Sequence, residues 1–78
     1  MWKRIVPVSM ALPDGHNFEG YLEVCWVELD EEIDGAEGPR LVKWSVPLAK
    51  VDGNIVDPTP FVTHYREKLE WIAENSIH

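Results

Sequence analysis

Hydrophobic and polar residues alternate over most of the first fifty positions of the chain. The alternation is present in residues 2–12, 18–29 and 40–51, which are separated by residues typical of turns. The even-numbered hydrophobic residues of these segments are Trp2, Val6, Val8, Met10 and Leu12, then Phe18, Leu22, Val24 and Trp26, then Val42, Trp44, Val46 and Leu48. Successive side chains of a strand point to opposite faces, so the pattern predicts three strands with one buried face each, on which Arg4 is an exception.

The prolines of the first and third segments predict the order of the strands. Proline has no N–H to donate to a neighbouring strand, so Pro7 and Pro47 belong in edge strands or in bulges. The second segment has no proline and is expected in the centre of an antiparallel meander. The Asp-Gly pair in residues 51–54 is a hairpin signal and predicts a short fourth strand over residues 55–56, beside the third. Pro47 then requires a bulge.

The last part of the chain, residues 57–78, carries hydrophobic side chains at helical spacing. They form one stripe, which consists of Phe61, Val62, Tyr65, Leu69, Ile72 and Ala73. Asp57 or Thr59 can cap this helix, and proline is tolerated in a first helical turn. The stripe is expected to pack on the even-numbered face of the sheet. The sequence therefore predicts a single α+β domain over residues 1–78, with an antiparallel sheet of three to four strands and one C-terminal helix, in the order β-β-β-(β)-α.

The size and composition of the chain agree with one small folded domain, since 45% of its 78 residues are hydrophobic. Cys25 is the single cysteine, which excludes an intrachain disulfide and a cysteine-rich zinc site. The N-terminal residues alternate in hydrophobicity, so no signal peptide is predicted. No apolar run reaches the roughly 20 residues that a membrane span requires. These features predict a cytoplasmic protein that does not enter a membrane.

The charge of the chain excludes some classes of partner. Fourteen acidic residues against seven basic ones give a net charge of −7, and the basic residues are scattered along the sequence. Nucleic acids and anionic membranes select clustered Lys and Arg, so direct binding to either is not expected. An acidic balance is compatible with binding to a basic protein surface and equally with solubility alone.

The densest group of acids lies between the second and third predicted strands. It consists of Glu28, Asp30, Glu31, Glu32, Asp34 and Glu37. Compared with a calcium-binding EF-hand loop, three of these acids occupy positions 1, 3 and 5, and Gly35 occupies position 6. Leu41 stands at position 12, where the loop needs a bidentate glutamate, and the flanking segments are predicted strands. The preferred interpretation is a solvated turn, with a weak calcium-binding module as an alternative.

The acids also raise the alternative of an inhibitor that mimics nucleic acid and blocks a basic nucleic-acid-binding protein. Further acids extend the charge on the outer, odd-numbered face of the second strand and along the helix: Glu19, Glu23, Glu67, Glu70 and Glu74. However, Lys3 and Lys43 belong to the same outer sheet face and can pair with glutamates across strands. That mixture is typical of an ordinary solvated sheet.

No catalytic, cofactor or metal site is predicted from the sequence. His16 falls in a turn, His64 on the helix and His78 at the terminus, so none forms a pair with metal-ligand spacing, and no acid is placed to orient His64 as a base. Cys25 belongs to the outer sheet face, where a lone cysteine is more often inert. We therefore expect a protein that is not an enzyme and needs no cofactor.

The outer sheet face is the most informative feature for function. Its hydrophobic residues are Ile5, Tyr21, Cys25, Val27, Leu29 and Leu41, which alternate with charges. No second helix is predicted to cover them, and an exposed apolar face of this kind is typical of a protein-binding surface. We expect a second copy of the chain, as a homodimer, or a host protein to bind there, with Tyr21, Val27, Leu29 and Leu41 as contact residues.

Trp71 is a separate candidate for contact with a partner. It lies opposite the core stripe of the helix, beside polar residues, and large aromatic side chains are over-represented at binding hot spots. The alternative is that Trp71 folds over the sheet edge or packs against the N-terminal strand.

Overall fold

The computed structural model describes residues 1–29 and 38–77. One antiparallel sheet holds four strands in sequence order, which are β1 (Trp2–Ala11), β2 (Asn17–Leu29), β3 (Gly38–Val51) and β4 (Asn54–Val56). Two consecutive helices follow, α1 (Thr59–His64) and α2 (Arg66–Ser76). The predicted α+β meander is thereby confirmed, including the short fourth strand.

The β3–β4 hairpin has the geometry that its Asp-Gly sequence predicts. Asp52 and Gly53 both have positive φ, 49° and 84°. A two-residue turn of this kind matches the twist of the flanking strands, and glycine adopts such a φ without steric cost.

Two bulges interrupt the pairing of β3 with β2. Opposite the β2 residues Tyr21 to Glu23, β3 contains one residue more than β2, and Pro47 lies in this bulge. The second bulge lies opposite Cys25 and Trp26, where β3 contains Val42 in addition. The prediction that Pro47 requires a bulge is confirmed. A bulge shifts the alternation of side chains by one residue, so residues 43–46 keep the predicted parity and the residues on either side do not.

The bulges make part of the face assignment for β3 wrong. The β3 residues that contact the core are Leu41, Trp44, Val46, Ala49 and Val51. Val42, predicted to be buried, is 49% exposed. Leu48 lies opposite Tyr21 on the outer face. Leu41, predicted to lie on the outer face as a contact residue, packs against the core instead.

The core lies between the inner face of the sheet and the two helices. Phe18, Leu22 and Val24 of β2 are 0% exposed, and Leu69 and Ala73 of α2 pack against them. All six residues of the predicted helical stripe are buried or half-buried, so the stripe is confirmed. None of the helices in the described ranges is long and apolar enough to span a membrane.

A bend at Tyr65 divides the predicted single helix into α1 and α2. Tyr65 has φ −107° and ψ 25°, outside the helical range. The backbone bonds nevertheless continue across it, because the Tyr65 N–H donates to Phe61 (2.8 Å) and the Leu69 N–H donates to Tyr65 (3.0 Å). Both segments therefore present their apolar residues to the same sheet.

Gly20 is the one inward-facing residue of β2 between Phe18 and Trp26 that has no apolar side chain, and close packing around its Cα explains why. A Cβ atom at this position would lie 2.8 Å from the backbone oxygen of Leu48 and 3.3 Å from the ring of Phe18. Only glycine fits this close approach without displacement of the neighbours.

Arg4 is the charged exception on the inner face of β1, and its contacts account for it. Its guanidinium lies 5.2 Å from the ring centroid of Trp26 and donates a hydrogen bond to the backbone oxygen of Ser76. Ser76 is the last residue of α2, where the helix dipole favours a cation. Arg4 therefore ties the end of the helix to β1.

Candidate functional site

The candidate site is the outer face of the sheet, on the side away from the helices. The register places on it Lys3, Ile5, Pro7 and Ser9 of β1, Glu19, Tyr21, Glu23, Cys25 and Val27 of β2, Arg40, Lys43, Ser45, Leu48 and Lys50 of β3, and Ile55 of β4. Both helices pack on the opposite face. Within residues 1–29 and 38–77, no element covers the outer face.

Several apolar side chains of the outer face are open to solvent. Ile5 is 50% exposed, Tyr21 47% and Ile55 73%. Between Pro7, Tyr21 and Leu48 lies a shallow depression of about 250 Å³, with Lys50 and Glu19 at its side. The register places Tyr21 and Val27 on the outer face, as predicted. The pairing of Leu29 with Gly38 keeps its backbone in β2, but its side chain lies outside what the structure describes.

The outer face is basic although the protein is acidic. Among its described residues, four Lys and Arg against two Glu give this face a net charge of +2. The whole chain carries −7, so the charges of all other residues sum to −9. Lys3 and Glu23 form an ion pair of 3.4 Å, and Glu19 lies opposite Lys50. The other two basic residues, Arg40 and Lys43, face Val27 and Cys25 across the strands, so the positive charge is concentrated at that end.

Cys25 lies on the outer face as predicted, but its side chain is covered. It is 3% exposed, and its register partners on either side are Lys3 and Lys43. Lysine side chains can cover a neighbouring apolar residue with their aliphatic stems. A thiol this inaccessible is a poor nucleophile for an external substrate.

The free edges of the sheet are poorly suited to pairing with another strand. The edge of β1 contains Pro7. β4 pairs only with Ala49–Val51, so the rest of β3 is unpaired on that side, but this stretch holds Pro39, Pro47 and both bulges. Prolines and bulges are the devices by which sheet proteins block edge-to-edge association. Strand addition at the described edges of the sheet is therefore disfavoured.

Trp71 lies on the exposed side of α2, as the helical spacing predicts. Its side chain is 64% exposed and is not among the residues packed against the core. The alternative in which Trp71 covers the margin of the sheet is thus not the observed arrangement. Glu67 and Glu74, four residues before and three after it, flank Trp71 on one side of the helix, with Glu70 further round, and Lys68, three residues before it, flanks it on the other side.

Sequence reasoning missed a contact between two turns. The imidazole Nδ1 of His16 contacts the Asp52 carboxylate, which also accepts the Asn17 N–H at 2.9 Å. The hydrogen bond to Asp52 and the nearby Asp14 raise the pKa of His16 above its usual value. The Asn17 N–H and His16 lower the pKa of Asp52.

This pair joins the β1–β2 turn to the β3–β4 hairpin. Asp52 also accepts a hydrogen bond from the Asn17 N–H and donates its own N–H to the Asn17 oxygen, so three contacts hold the two turns together. We call the His16–Asp52 contact the clamp. Each turn is visible in the sequence as a set of turn-forming residues. Only the strand order places the two turns at the same end of the sheet, so sequence spacing alone gave no signal for the contact.

The acidic group between β2 and β3 is mostly outside the described residues. Glu28 is exposed in β2, opposite Pro39. The other members, Asp30, Glu31, Glu32, Asp34 and Glu37, are not described, and neither is His78. The predictions of a solvated turn and of a weak calcium-binding module therefore fall there. Among residues 1–29 and 38–77, no group of three or more His, Cys, Asp or Glu is arranged to hold a metal ion.

Comparisons of the chain with protein-family models, with curated proteins and with solved structures give no match in any of the three.

Proposed function

We propose that this protein is a non-catalytic protein-interaction module whose outer sheet face binds an acidic protein surface with an apolar centre. The observation that carries the proposal is the uncovered outer face itself, where Ile5 and Tyr21 are half-exposed and Pro7, Tyr21 and Leu48 line a shallow depression. Contiguous apolar area of this kind on a small protein is typical of an interaction surface.

The charge of the outer face determines the chemistry of the partner. A net +2 surface on a protein of net charge −7 attracts carboxylates to this face and repels them elsewhere. Such complementarity contributes mainly to orientation and to the rate of association, while the apolar contacts contribute to affinity. An acidic rim around an aromatic or aliphatic centre is the surface that satisfies both requirements.

The test is capture of partners from the native host's lysate with two charge variants. Tyr21→Glu places an acid in the centre of the outer face, and Thr63→Glu places the same acid on exposed α1, away from that face. We expect the wild type and Thr63→Glu to retain the same acidic protein and Tyr21→Glu to lose it. Far-UV circular dichroism and thermal unfolding of each variant check that the fold is kept.

Retention should also decrease as salt is raised from low to physiological ionic strength, because exposed charge pairs are screened beyond about 8 Å at 0.15 M. Equal retention by the wild type and Tyr21→Glu would remove the outer face as the binding surface and contradict the proposed function.

A further inference from the structure

The chain itself presents a surface of the kind that its outer sheet face is expected to bind. On α2, Glu67, Glu70, Trp71 and Glu74 are spaced i, i+3, i+4 and i+7, so they lie along one side of the helix. We call these four residues the Trp71 stripe. Trp71, whose indole is 64% exposed, lies at one edge of the stripe, with the three carboxylates on one side of it and Lys68 on the other. An exposed tryptophan beside acids complements the outer sheet face, where Lys50 and Glu19 line the apolar depression and Lys43 and Arg40 lie further along β3.

We propose that the Trp71 stripe of one copy docks on the outer sheet face of a second copy, so that the protein assembles head to tail. The proposal rests on the proposed function, since it names the partner as a second copy of the chain.

The dimensions and the charges of the two surfaces are compatible. The 11 residues of α2 span about 16 Å. The 13 residues of β2 span about 43 Å, in a molecule whose longest dimension is 49 Å, so the helix fits within the length of the face. Along β3, Lys50 lies on one side of the depression and Lys43 on the other, and the glutamates likewise lie on both sides of Trp71 along α2.

The alternative of two outer faces stacked on each other is electrostatically less favourable. It would bring together two surfaces that each carry a net charge of +2, whereas the head-to-tail contact pairs the basic face with acids. In the head-to-tail contact the helix lies between two sheets, one from its own copy and one from the next. Because the two contacting surfaces differ, an open chain of copies keeps one unoccupied surface at each end. If the rotation between copies closes, they form a ring in which both surfaces of every copy are occupied.

The experiment is sedimentation of the full chain over a range of concentrations at low and high salt, with two interface variants. Trp71→Ser removes the exposed tryptophan of the stripe, and Lys43→Glu reverses a charge on the outer face. Thr63→Glu is the control, because it adds an acid at an exposed position of α1 outside both surfaces. We expect the wild type and Thr63→Glu to associate as concentration rises, less so at high salt, and each interface variant to associate about tenfold more weakly or worse.

Mixing the two variants is the sharper test. Trp71→Ser keeps an intact sheet face and Lys43→Glu keeps an intact stripe, so together they can form one contact and no more. We expect a 1:1 complex from two components that are monomeric alone. A mixture that stays monomeric would overturn the proposal.

Two other results would overturn the head-to-tail contact without deciding the proposed function. Association that is lost in Lys43→Glu and kept in Trp71→Ser would mean that the sheet faces stack on each other. A wild type that is monomeric up to about 1 mM would mean that the partner is a different protein. The capture experiment with Tyr21→Glu decides the proposed function separately.

Discussion

The two faces of the sheet are built from neighbouring residues of the same strands and have opposite properties. On the inner face of β2, Phe18, Leu22 and Val24 are completely buried beneath the helices. On the outer face of the same strand, Tyr21 is 47% exposed and lies between Glu19 and Glu23. Because stabilisation follows the apolar area removed from water, the buried inner layer is expected to hold the fold together and the exposed outer face to contribute much less. What the outer face contributes is expected to be binding, and what the inner face contributes is stability.

The largest expected effect is on the free energy of unfolding, when one buried and one exposed aliphatic residue are each truncated to alanine. Leu69 is 1% exposed in the core, and Ile55 is 73% exposed on the outer face. We expect Leu69→Ala to lower the free energy of unfolding by about 2–5 kcal/mol, because it leaves a cavity, and Ile55→Ala to change it by less than about 0.5 kcal/mol. Denaturant unfolding of both variants measures the difference. Equal losses would mean that the outer face is part of the stabilising core.

The predicted face assignment is correct for β2 and partly wrong for β3, and the position of the two bulges explains both results. The alternation of β2 persists from Phe18 to Trp26, because the extra residues of both bulges lie in β3. In β3, Pro47 marks one bulge in the sequence, but Val42 is an ordinary strand residue and marks nothing. A bulge at such a position depends on how the strand packs against its neighbours, which the pattern of one strand does not contain.

The bulges also determine the charge of the candidate site. The uninterrupted alternation would place Arg40 and Lys50 on the core side of β3, together with Val42 and Leu48. The two bulges put Arg40, Leu48 and Lys50 on the outer face and Leu41, Ala49 and Val51 on the inner face, and Val42 lies in a bulge without a partner in β2. The predicted outer face was therefore correct in Tyr21 and Val27, wrong in Leu41, and less basic than the one observed. The exposed position of Trp71 followed from helical spacing alone.

A smaller effect is expected from the contact between the two turns, and it depends on pH. The raised pKa of His16 means that its protonated form favours the folded state fully below the usual value of 6.5, and that this contribution is lost as pH rises through the raised value. The lowered pKa of Asp52 means that its carboxylate favours the folded state above 3.8, and that this is lost as pH falls through the lowered value. Together the two contribute most at about pH 5.

Asp52→Asn tests this dependence, because asparagine tolerates the positive φ of Asp52 and its side-chain oxygen can still accept the Asn17 N–H. We expect the difference in Tm between the wild type and this variant to be largest at about pH 5 and to decrease on both sides. Glu19→Gln, which removes a carboxylate from the outer face, is the control for the general effect of one charge. A difference that is constant with pH, or that grows towards alkaline pH, would contradict the clamp.

The central claim is that the outer sheet face, and not an edge or the core side, is the surface that this protein uses for binding. The most direct measurement is the change of backbone amide NMR shifts as the concentration of the full chain is raised at low salt. The account predicts shift changes at Tyr21, Val27, Lys43 and Lys50 and along the Trp71 stripe, with little change along the edge of β1. Changes confined to the edge of β1, or to the unpaired edge of β3 with none on the outer face, would contradict it.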